Sequence, residues 1–202
     1  MTPGAQAACR VALARRHVAC CALAWLLACA FLAAPPVAAQ GGAAPQALER
    51  KVKAAFLYKF LGYTEFPATA FGEADKPVVI GVASADELAA ELARIVAGRS
   101  IHGRAIQVRT VREGEPAAGV HLLFVGGADP ARLRSLLRSL QPGPMLLVSE
   151  AENGLQQGSV INFKIVEERV RFDVSLEAAD RHQVKLSSRL LTVANHVHKG
   201  AP

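Results

Sequence analysis

The chain has 202 residues, of which 20% are charged and 5% are aromatic, with 23 Lys and Arg against 17 Asp and Glu. All four cysteines and three of the cations (Arg10, Arg15 and Arg16) lie before residue 40, so residues 40–202 carry 20 cations against 17 acids, a net charge of +3. This mild balance gives no reason to expect nucleic acid as a partner. Without cysteine, residues 40–202 also exclude disulfides, thiolate metal sites and cysteine catalysis.

The first 39 residues predict a cleaved secretory signal peptide. The arginines are followed by an uncharged apolar run over residues 18–34, and Val37-Ala38-Ala39 supplies small side chains before a cleavage point. A retained membrane anchor, or a lipoprotein processed at Cys29, is the alternative. The prediction is that residues 40–202 work outside the cytoplasm as one domain with a flexible lead-in over residues 40–46.

The apolar spacing then predicts a long helix followed by alternating strands and helices. Helical periodicity runs over residues 46–66 and stops at Pro67. A continuous apolar run over residues 78–83 indicates a strand buried on both faces, and Ser84 with Glu87 predicts a capping box for the next helix. Further strands are predicted over residues 106–110, 120–125 and 145–148, with a helix between the last two that Asp129 caps and Pro130 begins.

The C-terminal part departs from that alternation. Residues 161–174 alternate apolar and polar side chains on either side of Glu167-Glu168, which predicts an antiparallel hairpin. A helical turn over residues 176–180 and a terminal helix that carries Val197 follow. The fold class is therefore α/β: a layered single domain with a mostly parallel sheet flanked by helices and a C-terminal antiparallel hairpin.

The hairpin register predicts an unusual charge pairing. With a two-residue turn, Lys164 lies opposite Arg171, and like charges in that position are unfavourable; Asp173, diagonal to Lys164, relieves the repulsion only in part. The pairing suggests an acidic ligand or an acidic partner surface over this face, and the alternative is that both side chains extend into water. The candidate binding residues here are Asn162, Lys164, Arg171, Arg181, Lys185 and Arg189.

The first helix offers a second candidate surface. Its apolar side chains surround most of the circumference, and one helix rarely buries its whole surface in a small domain. An exposed apolar strip that includes Tyr58 and Leu61 would suit a partner or a homodimer contact. The alternative is that these side chains belong to the core.

With these elements in order, the chain resembles the YfiR family. The resemblance spans nearly all of residues 40–202, and it depends on the order and spacing of several short blocks. These blocks are 53–60 (KAAFLYKF), 63–67 (YTEFP), 80–82 (IGV), 103–104 (GR), Gly158, 161–163 (INF), 169–172 (RVRF) and 185–191 (KLSSRLL).

The resemblance implies a periplasmic regulator that has no catalytic activity and no cofactor. Proteins of this kind bind the periplasmic sensor domain of an inner-membrane diguanylate cyclase, hold it inactive and lower cyclic di-GMP and biofilm-related output. An OmpA-like outer-membrane lipoprotein is an implied sequestering partner, and a homodimer would fit the two-fold symmetry of such receptors. A different class of function stays open: a periplasmic sensor whose small anionic ligand binds among Lys164, Arg171 and Arg189.

The remaining polar residues do not predict catalysis or metal binding. The motifs of a nucleophile elbow, a zinc protease and a P-loop are absent from the sequence, so a secreted hydrolase lacks a nucleophile–base set. His196 and His198 on a helix would point about 200° apart, which does not suit a shared metal; in an extended tail they could share one together with His182, and the alternative is a solvated chain end. His121 is predicted to be a hydrogen-bonded core histidine, Glu150 a solvated loop residue, and residues 126–129 a tight turn with an aspartate cap.

Overall fold

Helices and strands alternate through the middle of the chain, as the apolar pattern predicts. The structure is a computed structural model that describes residues 43–72, 76–112, 114–141 and 143–200. The predicted signal segment lies outside the described residues, and Gly41–Pro202 form one compact unit. The helices are α1 (Ala43–Gly62), α2 (Asp86–Val96), α3 (Pro130–Ser139), α4 (Leu176–Arg181) and α5 (Ser188–Val193), with a 3-10 turn at Ala68–Ala70. The strands are β1 (Thr64–Glu65), β2 (Val78–Ala83), β3 (Ser100–Ile101), β4 (Arg104–Thr110), β5 (Leu122–Val125), β6 (Leu146–Ser149), β7 (Ile161–Val166), β8 (Arg169–Ser175), β9 (Lys185–Leu186) and β10 (His196–His198).

One sheet of eight strands organises the described residues, in the order β10-β8-β7-β6-β5-β2-β4-β3. β2, β4, β5, β6 and β7 run parallel, whereas β8 is antiparallel to β7 and β3 is antiparallel to β4. The chain begins this sheet in its middle at β2, moves out to β4, and then returns past β2 to β5, β6 and β7. The predicted α/β layered fold with a mostly parallel sheet and a C-terminal antiparallel hairpin is confirmed.

Helices lie on both faces of the sheet, which is why β2, β5 and β6 are continuous apolar runs. The β2–α2–β4 and β5–α3–β6 connections step in opposite directions along the sheet. Since such crossovers are right-handed, α2 and α3 lie on opposite faces. We call the face under α2 the first face and the face under α3 the second face. α1 packs against α2 and therefore belongs to the first face.

An aromatic cluster joins α1 to the hairpin on the first face. Phe56 and Phe60 of α1 meet Phe163 of β7 and Phe172 of β8, with ring centroids 4.9 to 6.1 Å apart. Leu61 lies in the same core and is only 1% exposed. The expectation of an exposed apolar strip through Leu61 is therefore wrong, because this side chain is buried in the hydrophobic core.

Short strands replace two predicted helix ends. α1 begins at Ala43, inside the predicted lead-in (40–46), and ends at Gly62, because the next residues form β1 and pair with β9. The terminal helix α5 ends at Val193, and the residues around Val197 form β10, which pairs in parallel with β8. The prediction of a helix that carries Val197 is wrong, since the unpaired edge of β8 binds this segment instead.

The two predicted helix caps, at Asp129 and at Ser84, have different outcomes. Asp129 caps α3 by accepting a hydrogen bond from Ala131 N (2.8 Å), and the Ser187 side chain caps α5. The capping box at Ser84 is wrong, because Ser84 has a φ of 57° and α2 begins at Asp86 without a side-chain cap.

Candidate functional site

The parallel strands β2, β5 and β6 end at the same level, at Ala83, Val125 and Ser149. We call this the carboxyl edge of the sheet, and in open α/β sheets it is the edge where ligands and partners usually bind. The loops that follow β2 and β5 pack tightly here, since a Cβ on Gly126 would lie 2.7 Å from Ala85 Cβ. The edge is therefore built from loops held against one another.

Glu150, the first residue after β6, joins three elements at this edge. Its Oε1 accepts a hydrogen bond from Gly127 N (2.6 Å) in the loop after β5, and its Oε2 pairs with the ammonium of Lys53 on α1. Lys53 also pairs with Glu49 one turn earlier on α1. Burial alone would lower the pKa of Lys53, but the two carboxylates outweigh burial and raise that pKa above 10.5.

A row of polar side chains crosses the second face next to Glu150. Ser149, Asn162, Asp173 and His196 are successive partners across β6, β7, β8 and β10. Ser149 Oγ donates to Asn162 Oδ1 at 2.6 Å, and Asn162 Nδ2 donates to Ala151 O at 3.1 Å. Asn162 is thus buried and satisfied within the protein, so it supports the edge rather than presenting a free amide to a ligand.

Asp173 is the fully buried carboxylate of this row. It forms an ion pair with Lys164 (2.6 Å) and accepts a hydrogen bond from Asn195 Nδ2 (2.8 Å). Burial alone would raise the pKa of Asp173, but Lys164 and Asn195 outweigh burial and hold that pKa below 3.8. The predicted pairing of Lys164 with Arg171 is confirmed, and its repulsion is relieved because Asp173 neutralises the lysine.

The outer half of the β7–β8 hairpin extends beyond the carboxyl edge. Only the first two residues of β7 pair with β6, and β10 pairs only with the last three residues of β8. Among the described residues, the rest of the hairpin forms sheet pairs only with itself, while Phe163 and Phe172 at its base pack on α1. It closes through the predicted two-residue turn, with φ of 49° at Glu167 and 59° at Glu168. It carries exposed apolar side chains at Ile165 (52% exposed) and Val166. We call residues 163–172 the projecting hairpin.

A cleft of about 660 Å³ lies between the projecting hairpin, the first half of α1 and the loop after β6. The lining of the cleft holds more carboxylates than lysines. Both lysines, Lys53 and Lys164, are already paired with acids. An anion beside Lys164 would meet this negative surplus. The charged residues that line the cleft are Glu49, Lys53, Glu150, Glu152, Lys164 and Asp173.

The structure does not bring the other predicted cations to this cleft. Ser187 N donates to Tyr63 O just beyond the end of α1, and Arg189 follows in α5, outside the lining of the cleft. Lys185 faces Glu65 across β9 and β1. Arg181 pairs with Glu177 at 3.1 Å and lines a separate cavity of about 590 Å³ beside His182. Arg171 stays exposed on the projecting hairpin.

Tyr58, the other residue predicted on the α1 surface, is half-buried. The guanidinium of Arg99 lies 5.1 Å from its ring centroid, and Lys59 Nζ lies 5.9 Å from it. These contacts hold the ring against the loop after α2. One edge of the Tyr58 ring therefore remains accessible to a partner. Leu61, the other residue predicted on this surface, is buried.

Sequence reasoning missed Lys53 and Glu150 as the junction of the edge. Glu150 was expected in a solvated loop, but it is half-buried, and both of its carboxylate oxygens have partners within the protein. The available signal is its position, since it directly follows a strand buried on both faces. The tight turn with an aspartate cap at residues 126–129 is confirmed, and its amide at Gly127 is occupied by Glu150 rather than by a ligand.

Two histidines, of which His121 is buried and His182 is half-buried, predict how stability depends on pH. Burial lowers the pKa of His121 and of His182 below 6.5, so the folded protein keeps both rings neutral. Below pH about 6.5 the histidines of the unfolded chain bind protons that the same histidines do not bind in the folded state. The free energy of unfolding should therefore fall as the pH drops from about 7.5 to 5, by up to about 1.4 kcal/mol per pH unit for each histidine.

Urea unfolding at several pH values would measure this slope. His182→Gln should flatten it, whereas His102→Gln, a change at an exposed loop residue, should leave it unchanged. A flat profile for the unmodified protein would show that the histidines are not held neutral.

The chain matches the family described as YfiR/HmsC-like across residues 50–195, which is more than half of its length. It therefore belongs to this family, and the resemblance seen in the sequence is confirmed. Membership supports, at the level of the family, a periplasmic regulator of a diguanylate cyclase. No curated protein matches the chain.

Two further properties concern the described residues only. Among residues 43–72, 76–112, 114–141 and 143–200, no helix is long and apolar enough to cross a membrane. The same residues contain no group of three or more histidine and carboxylate side chains placed to hold a metal ion.

Proposed function

We propose that this protein is a non-catalytic periplasmic regulator that binds the periplasmic sensor domain of an inner-membrane diguanylate cyclase and inhibits it. Inhibition would lower cyclic di-GMP and biofilm-related output. The protein would act by binding the inactive arrangement of the cyclase more tightly than the active one, because a ligand shifts an equilibrium only by its difference in affinity. An OmpA-like outer-membrane lipoprotein would release the cyclase by competing for the regulator, and a homodimer would match a two-fold receptor.

Within the described structure, the projecting hairpin is the feature that best supports a binding role. Ile165 and Val166 are exposed beyond the carboxyl edge, where the adjacent sheet cannot cover them. Exposed apolar side chains with a charged rim are typical of protein-binding surfaces. Leu48 on the first half of α1 is 65% exposed and extends the apolar surface on the other side of the cleft.

The charges around this surface favour a protein partner over a small anion. Arg169 and Arg171 are exposed on β8, while Glu167 and Glu168 occupy the turn. Such a mixed rim selects a partner by complementary charge and adds to the rate of encounter. The apolar tip between these charges would supply most of the affinity.

Deleting the protein from its host tests the proposal directly. Intracellular cyclic di-GMP should rise on deletion, and the rise should be reversed by the full chain but not by residues 40–202 expressed without the signal segment. An unchanged cyclic di-GMP level on deletion would contradict the regulator proposal.

A pair of matched variants then tests the projecting hairpin. Ile165→Asp should abolish the repression, because it places a carboxylate in the apolar centre of the proposed interface. Val193→Asp is the control, since Val193 is also an exposed apolar residue (61% exposed) but lies on α5, outside the projecting hairpin. Both variants change exposed side chains, so both should accumulate in the periplasm like the parent. Full repression by Ile165→Asp would place the interface elsewhere.

A further inference from the structure

The outer half of β7 pairs with another strand on one side only. β7 pairs with β6 at Ile161 and Asn162, whereas residues 163–166 pair with β8 alone. After β6 the chain turns onto the second face, because Ala151 O accepts a hydrogen bond from Asn162 Nδ2 and a Cβ on Gly154 would collide with Asn162 Oδ1. No strand of the described residues therefore continues β6 beside residues 163–166. We call this side of residues 163–166 the open edge.

The hairpin register shows which backbone groups the open edge presents. Phe172 O accepts a hydrogen bond from Asn195 N, outside the hairpin, so the backbone groups of the facing pair Phe163–Phe172 point away from each other. Pair types alternate along an antiparallel ladder, so the Ile165–Val170 pair, two residues on, is of the same type. The N–H and C=O of Ile165 therefore point out from the open edge, and among the described residues no hydrogen bond from outside the hairpin reaches them. Such a row is a template for pairing with another chain.

The cleft of about 660 Å³ lies along the open edge. Its lining includes Phe163 and Ile165, whose side chains lie on the first face of β7, and also Asn162 and Lys164, whose side chains lie on the second face. A cavity that reaches both faces of one strand lies beside the edge of that strand. Of β8, only Asp173 lines the cleft, so the cleft follows the edge of β7 and not the other edge of the hairpin.

The charge of the cleft favours a basic occupant. Four carboxylates and two lysines line it, a net charge of −2 with its histidine neutral. Both lysines are already paired with acids, so the surplus is open to a cation from outside. Glu152 is exposed among these acids, and the exposed side chain of Ile165 lies beside them. An extended segment with cationic and apolar side chains therefore complements both the charge and the edge.

We propose that an extended segment of the partner adds as a strand to the open edge of β7, with its backbone bonded to Ile165 and a Lys or Arg side chain among the acids of the cleft. Strand addition here rests on the proposed function, because it takes the projecting hairpin as the binding surface, and it names the kind of segment that binds. Residues 163–166 present about 13 Å of edge, so about four residues of the partner pair with them. In this mode main-chain hydrogen bonds supply affinity and alternate side chains supply specificity.

The peptide acetyl-KVKVKV-amide tests the open edge without any cyclase. It presents one basic and one apolar face, and a slip of one residue only exchanges them. In a titration followed by amide NMR it should bind with a Kd below about 1 mM, shift the amide of Ile165 and slow the hydrogen exchange of that amide at least about tenfold. Acetyl-EVEVEV-amide and a backbone-N-methylated Lys–Val peptide should each bind at least about tenfold more weakly. No binding of acetyl-KVKVKV-amide up to about 1 mM, or equal binding of either control, would overturn the proposal.

Proline variants locate the added strand. Ile165→Pro removes the outward N–H but keeps the hydrogen bonds of the hairpin, because proline is tolerated at an edge position whose N–H faces outward. It should weaken peptide binding at least about tenfold, whereas Ile165→Val should not. Val170→Pro is the matched control, since Val170 faces Ile165 and its N–H points to the other edge of the hairpin. Equal losses in the two proline variants would overturn the site.

A charge reversal gives a second test that leaves the strand unchanged. Glu152→Lys should weaken binding of acetyl-KVKVKV-amide at least about tenfold. Asp180→Lys is its control, because Asp180 is an exposed acid on α4 that does not line the cleft, and it should leave binding unchanged. Equal effects of the two reversals would mean only non-specific charge attraction and would overturn the site.

The repression assay separates this inference from the regulator proposal. Peptide binding at Ile165 together with an unchanged cyclic di-GMP level on deletion would support the strand site and contradict the regulator proposal. Full repression by Ile165→Pro together with lost repression by Ile165→Asp would support the hairpin as the interface and overturn strand addition.

Discussion

Replacing Leu61 with aspartate should cost at least about 4 kcal/mol of unfolding free energy, enough to unfold a protein of ordinary stability. Leu61 is 1% exposed and packs in the core between α1 and the sheet. The substitution removes that apolar contact and also buries a carboxylate without a cation near it. Urea unfolding followed by circular dichroism would measure the loss.

Leu48→Asp is the matched control for this change. Leu48 lies on the same helix and is 65% exposed, so its replacement should change the free energy of unfolding by no more than about 0.5 kcal/mol. If Leu61→Asp proved as stable as the parent, the packing of α1 described above would be wrong. A binding defect in Leu61→Asp would accordingly report lost folding, whereas Tyr58→Ala at the half-buried ring edge can still report an interface.

Replacing Lys53 with methionine should cost about 2–3 kcal/mol. Lys53 connects α1 to Glu150, and Glu150 holds Gly127 in the neighbouring loop, so the change leaves a partly buried carboxylate at the carboxyl edge without its cation. The figure lies below that for a fully buried pair because Glu150 keeps 21% side-chain exposure and its bond to Gly127.

A double-mutant cycle separates the pair from its surroundings. Glu150→Gln should restore part of the stability lost in Lys53→Met, with a coupling free energy of about 1 kcal/mol or more. The control is Arg94→Met with Glu91→Gln on α2, an ion pair whose arginine is 73% exposed and whose coupling should stay below about 0.5 kcal/mol. Equal coupling in the two pairs would contradict the role of Lys53 as the junction of the edge.

The projecting hairpin shows what the local sequence pattern can predict and what it cannot. The alternation on both sides of Glu167-Glu168 predicted the turn and the pairing of Lys164 with Arg171, because register in a two-residue hairpin follows from the turn itself. The same pattern placed Asp173 diagonal to Lys164, but it did not indicate that Asp173 would be fully buried or that Asn195 would reach the same carboxylate. The Asn195 contact requires the tail to turn back, because Asn195 directly precedes β10, which pairs with β8.

The errors at helix ends have a common cause. Tyr63 lies in a helical spacing, yet α1 stops before it because β1 finds a partner in β9, and Val197 leaves its predicted helix because the edge of β8 offers backbone hydrogen bonds. In both cases a tertiary contact supplied a better partner than the local propensity did. At Ser84, a left-handed φ takes the place of the expected cap.

The sequence by itself determined the α/β class, the approximate positions of β2 and of β4 to β8, the hairpin turn, the family and the core histidine at residue 121, because apolar periodicity and turn chemistry act between near neighbours. Only the tertiary structure decided that Leu61 is core and that Glu150 is a junction. These properties depend on which surfaces meet when distant segments pack. In the folded protein, the environment of a side chain is set by neighbours that its own stretch of sequence does not specify.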